Sequence, residues 1–106
     1  MLFESAHVRV TAEHGTATLW LGFPGEPANA LDLARLRELD AALAAVAAHP
    51  AVRILVVRSD NPAGFCAGLR PEAVASLAHP ADRAAFAWAG QQVFDRLERL
   101  DAVTVA

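Results

Sequence analysis

A chain of 106 residues, 55% of them hydrophobic, has room for one small folded domain and not for two. Its formal charge of −3 leaves no basic footprint for nucleic acid and no polybasic segment for an anionic membrane. The single cysteine, Cys66, excludes an internal disulfide and suits a reducing cytoplasm, and the opening MLFESAHVRV lacks the cationic-then-apolar order of a signal peptide.

The alternation His7, Val8, Arg9, Val10 predicts a first strand over residues 7–11. Glu13, His14 and Gly15 form a short turn, and the alternating run Thr16, Ala17, Thr18, Leu19, Trp20, Leu21 completes a hairpin. Gly22, Pro24, Gly25 and Pro27 then impose a loop. Asp32 is placed to cap a helix whose apolar stripe is Leu36, Leu39, Leu43 and Val46. That helix ends at His49-Pro50, because the residue before a proline is pushed out of the helical region.

Residues 52–57 contain four successive apolar residues, Ile54, Leu55, Val56 and Val57, which suits a central strand of a parallel sheet covered on both faces. The stripe of the preceding helix is expected to pack on it. Turn formers fill residues 59–68. Pro71 opens a short helix through Leu77, and Pro80 opens a longer one with the stripe Phe86, Gly90, Val93, Phe94, Leu97, Leu100. Residues 102–106 begin another apolar strand. The stretch 41–57 is interrupted by His49, Pro50 and Arg53 and is short of the roughly 20 apolar residues a membrane span needs.

Two segments stand apart: Pro27-Ala28-Asn29-Ala30-Leu31-Asp32 before the long helix, and Pro62-Ala63-Gly64-Phe65-Cys66-Ala67-Gly68-Leu69 after the apolar strand. With the strand Val52-Arg53-Ile54-Leu55-Val56-Val57 and the terminal Asp101-Ala102-Val103-Thr104-Val105-Ala106, their order and spacing resemble the enoyl-CoA hydratase/isomerase (crotonase) family. The likeness runs over nearly the whole chain. It implies an α/β, crotonase-like (ClpP/crotonase spiral) fold, of which residues 1–106 are the N-terminal portion, a partial domain with a parallel sheet flanked by helices. The resemblance further implies a coenzyme A thioester as substrate, with no separate cofactor, and a place in fatty acid or related acyl-CoA metabolism.

In that family the chemistry builds negative charge on the thioester oxygen, and two backbone N–H groups form the oxyanion hole that stabilises it. The resemblance assigns the first donor to the N–H of Leu69, and the coenzyme A contacts to Ala28, Ala30, Ala67, Gly68 and Leu69. Small side chains at Ala28, Ala30 and Ala67 suit main-chain recognition, and Gly68 permits an unusual turn and close approach of a ligand. Pro71 would bring a helix N-terminus near the developing anion. Two departures are visible: Arg70 replaces the family's usual acidic residue, and Leu69 is bulkier than the usual small one. By the same resemblance the second donor and the catalytic carboxylates belong to segments after the next strand. The short chain is therefore expected to be inactive as an enzyme, and open to homo-oligomer formation or to a longer partner chain.

Other residues have plainer roles. Cys66 is expected as a small core residue, since no histidine or second cysteine keeps a motif spacing with it. His7, His14, His49 and His79 fall at turns and element ends, which suits surface or capping roles and not a metal site. Glu72 and Asp82 read as first-turn helix residues, and Trp20, Trp88, Phe86 and Phe94 as packing residues. An alternative of another class, a small regulatory domain of the anti-sigma-factor-antagonist type, would need an aspartate–serine–glycine loop after the apolar strand. Phe65-Cys66-Ala67-Gly68 stands there instead.

Overall fold

The computed structural model describes residues 1–22 and 28–106, so the expected loop breakers Pro24, Gly25 and Pro27 lie outside the described residues. The N-terminal hairpin pairs β2 (Val8–Glu13) with β3 (Thr16–Leu21) in antiparallel register from Val8↔Leu21 to Glu13↔Thr16. Both loop residues, His14 and Gly15, have positive φ (52° and 81°), as a two-residue type I′ connection requires. A two-residue strand, β1 (Phe3–Glu4), adds antiparallel to β2. It was not expected, because two residues show no period.

After the hairpin come α1 (Leu33–Ala47), β4 (Ile54–Ser59), α2 (Pro71–Ala75), α3 (Pro80–Arg99) and β5 (Val103–Val105). β4 pairs parallel with β3 on one side and β5 on the other, giving the order β1-β2-β3-β4-β5. The expected parallel sheet is thus a mixed one, since a two-residue hairpin can only join antiparallel strands. β4 is central, as expected, but begins at Ile54, two residues later than the expected strand. Val52 and Arg53 are used in the return from α1, where Val52 N–H bonds His49 O and Arg53 N–H bonds Gly15 O.

Asp32 caps α1 through Arg35 N–H at 2.8 Å. Leu36, Leu39, Leu43 and Val46 are all buried, with Ala42 between them. They meet Val8, Val10, Ala17, Leu19 and Leu55, which the pairing places on one face of the sheet. α1 lies chiefly across β2 and β1, and not centred on β4, while α3 packs against α1. The opposite face carries Thr16, Ile54 and Val103 in one row and Thr18, Val56 and Val105 in the next. Ile54, Val103 and Val105 are exposed there, so β4 is covered on one face only among the described residues. The apolar run alone did not reveal this, because residues facing a helix and residues facing outward are equally apolar. No described helix is long and apolar enough to cross a membrane.

Candidate functional site

The two motif segments, far apart in sequence, are hydrogen-bonded side by side. Ala67 N–H bonds Asn29 O at 2.7 Å, Leu31 N–H bonds Gly68 O at 2.6 Å, and Arg70 N–H bonds Leu31 O at 2.8 Å. The result is a short parallel ladder centred on the bridge Leu31↔Leu69. In a parallel pair, alternate residues point their backbone groups to the partner and away from it. The ladder therefore engages the N–H and C=O of Leu31 and leaves the Leu69 N–H without a hydrogen bond to any described residue.

Asn29 holds this arrangement, and the sequence reading assigned it no role. It is buried, and its Nδ2 lies 2.7 Å from Ser59 Oγ, 2.8 Å from Phe65 O and 3.2 Å from Leu21 O. One amide thereby ties together the ends of β3 and β4 and the loop that follows β4. Ser59 Oγ in turn bonds Gly64 O at 2.6 Å and accepts from Asn61 N–H at 3.0 Å. Gly22, at φ 74°, completes the site, because a Cβ there would collide with Asn29 Oδ1. The signal for Asn29 was its place between two alanines: a lone polar side chain entering a core must find partners.

Gly68 has φ 87°, a conformation that favours glycine, and a Cβ on it would meet no atom within 4 Å. The space beside it is open. Phe65, Cys66, Ala67 and Leu69 are also exposed on this outer side, as is Ala28. The exposure of Cys66 corrects its expected core position: the side chains buried beneath this loop are Asn29 and the loop's own Asn61. Between residues 28–31 and Cys66 the enclosed space is about 20 Å³, room for about one water molecule. His7, half-buried just before β2, also lines this space. Its Nδ1 lies 2.8 Å from Glu38 Oε2, and its backbone N–H bonds Glu38 Oε1 at 2.9 Å. Burial alone would raise the Glu38 pKa, but hydrogen bonds from Ser5 and His7 and the charge of His7 outweigh it and hold it below 4.5.

Beyond the ladder a cleft of about 610 Å³ lies between the start of α1, α2 and the start of α3. Arg70 reaches into it. Asp32 is already engaged there, with Arg35 Nη1 2.8 Å from its Oδ2. The expected helix dipole is small, because α2 is only five residues long. A larger cleft of about 690 Å³, lined by Asp40, His49, Trp88 and Arg96 among others, lies alongside the contact of α1 with the C-terminal half of α3, where Arg96 Nε bonds Asp40 Oδ1 at 2.8 Å. None of the expected site residues lines it. Among the described residues no group of three histidines, cysteines or carboxylates could hold a metal ion.

No protein-family model matches the sequence, and no curated protein does. Solved structures match closely in shape. The enoyl-CoA hydratase of Geobacillus kaustophilus HTA426 superposes with a TM-score of 0.87 at 25% identity, over 96% of this chain and 38% of that one. The enoyl-CoA hydratase of Mycobacterium smegmatis gives 0.83 at 26% identity, over 95% and 38%. That of Bacillus anthracis gives 0.79 at 22% identity, and shows the fold alone. This chain therefore spans about two fifths of the length of the hydratases it matches. These neighbours give no support to the anti-sigma-factor-antagonist reading. In fold, and in the order of its motifs, the chain is similar to the N-terminal part of enoyl-CoA hydratase/isomerase (crotonase) family proteins.

Proposed function

We propose that this chain is the acyl-CoA-binding portion of an enoyl-CoA hydratase/isomerase-type protein, with the Leu69 N–H as one oxyanion donor. The observation that carries the reading is the ladder between residues 29–31 and 67–70. It fixes both motif segments against each other while the Leu69 N–H stays without a partner, beside open space at Gly68. A fixed backbone donor needs no reorganisation when charge develops on a thioester oxygen, and such a donor is worth about 3–4 kcal/mol. Ala28, Ala30 and Ala67 bring small side chains to the same segments, which suits recognition of coenzyme A by main-chain groups.

Alone, the chain is proposed to bind and not to turn over. One donor in place of two costs about 10²–10³ in rate, and a missing general acid/base about 10²–10⁴. Glu72 and Asp82 sit in the first turns of α2 and α3, where their charge suits the helix, and both are exposed. The test is titration of the 106-residue protein with crotonyl-CoA, followed by amide NMR, beside a hydratase and isomerase assay. Shifts concentrated at Ala30, Ala67, Gly68 and Leu69 without turnover are the expected result. Shifts confined to the α1–α3 cleft would overturn the site, and robust turnover would overturn the inactivity.

A further inference from the structure

The two edges of the sheet differ in how they meet solvent. β1 is two residues long and carries Glu4, and both features discourage pairing with another strand. β5 reads Val103-Thr104-Val105, with no charge and no proline, and all three residues are exposed. Val103 N–H bonds Arg53 O at 3.0 Å, so the backbone groups of Val103 turn toward β4. In a parallel pair successive residues alternate, which turns Val105 to β4 as well and Thr104 to the open edge. That alternation leaves the N–H and C=O of Thr104 without a strand partner among the described residues.

The segment reads the same in both directions about Thr104. Two copies meeting antiparallel would exchange N–H···O bonds between Thr104 of one copy and Thr104 of the other. Val103 of each copy would then lie opposite Val105 of the other, on the outer face of the sheet, where they are 66% and 50% exposed. No like charges face each other in that register. We propose that β5 is a homodimer interface, in which two copies pair about a twofold axis at Thr104 and join their sheets edge to edge. The surface available is of the right size. The accessible surface of 6442 Å² is about 700 Å² above that expected for a folded monomer of 11.2 kDa. Each partner in a standard interface buries roughly 800 Å². A strand from another protein could reach the same edge, but the matched valines and the absence of charge make β5 complementary to itself. β5 shares no residue with the proposed thioester site, so the pairing stands or falls without it.

The experiment measures association of the 106-residue protein by sedimentation equilibrium from micromolar to hundreds of micromolar, beside Thr104→Pro and Thr104→Val. Proline removes the N–H that faces the open edge and no ladder bond to β4. The wild type and Thr104→Val should form dimers. Thr104→Pro should dimerise about thirtyfold more weakly, because two hydrogen bonds are lost per dimer. Amide hydrogen exchange on the wild type gives a second reading that needs no variant. The Thr104 amide should exchange slowly in concentrated solution and fast in dilute solution. A strict monomer across the whole range would overturn the proposal and leave the edge to a different chain. Dimers in which the Thr104 amide still exchanges fast would also overturn it, by assigning the contact to α3 or to the outer sheet face. Undiminished dimerisation of a folded Thr104→Pro, checked by circular dichroism, would do the same.

Discussion

Asn29 and Gly22 show how few atoms hold the motif segments together. The two N–H groups of the Asn29 amide are shared among three acceptors within reach, so Asn29→Ala should cost about 1–3 kcal/mol by leaving buried carbonyls unpaired. Asn29→Asp keeps the shape but turns carboxylate oxygens toward the carbonyls of Leu21 and Phe65, and should be worse. Urea midpoints of the two variants check the order; an Asp variant as stable as wild type would contradict the amide orientation. Gly22→Ala should equal or exceed either loss, because it combines positive φ with a collision on Asn29. Cys66 offers a simpler check. Its exposed thiol should react with a thiol reagent at full stoichiometry in the absence of denaturant.

At the scale of elements, α1 is held by its cap, its stripe and the hydrogen bonds of Glu38 to the N-terminal segment. Leu43 is 2% exposed in the centre of the stripe, so Leu43→Ala should cost about 2–5 kcal/mol, read from the denaturation midpoint. Glu38 joins α1 to the segment between β1 and β2 through Ser5 and His7. Its folded pKa lies below 4.5, so its contribution is present above that value and lost as pH falls through the folded one. Stability measured from pH 6 down to pH 3 should therefore fall less steeply in Glu38→Gln than in wild type. On the outer face of the sheet, Arg9 and Arg58 stack on Trp20 from the two neighbouring strands, 4.7 and 4.9 Å from the ring centroid. This local cover, worth about 0.5–1 kcal/mol per cation, does not extend to Ile54, Val103 or Val105.

Across the whole molecule, one core is well buried and two other surfaces are not. The accessible surface is 6442 Å², against about 5,700 Å² expected for a folded monomer of 11.2 kDa. The excess includes the outer sheet face and the side of α3 that carries Trp88 and Phe94, 62% and 53% exposed. Both aromatics were expected to pack and do not. Apolar patches of this kind drive association. The 106-residue protein should self-associate at tens of micromolar in sedimentation velocity, and Trp88→Glu with Phe94→Glu should reduce it. A strict monomer across that range would show that these surfaces are tolerated in water.

Periodicity alone determined most of the elements. The stripe of α1, its Asp32 cap, the two alternating strands and the prolines at the start of α2 and α3 are local signals, set by the backbone geometry of neighbouring residues. The order of the two motif segments was likewise legible, because it is a property of the chain. Which face of β4 is covered was not, since Ile54 and Leu55 are chemically alike and only the packing of α1 distinguishes them. Nor did the sequence reveal that Glu38 meets Ser5 and His7, or that one asparagine fastens three segments. Those contacts join residues some thirty positions apart. A polar side chain's partners at that distance depend on where the folded backbone brings them. The tertiary structure alone decided, for the same reason, that the Leu69 N–H is left over: its freedom follows from the register of the ladder with Leu31, which no single segment encodes.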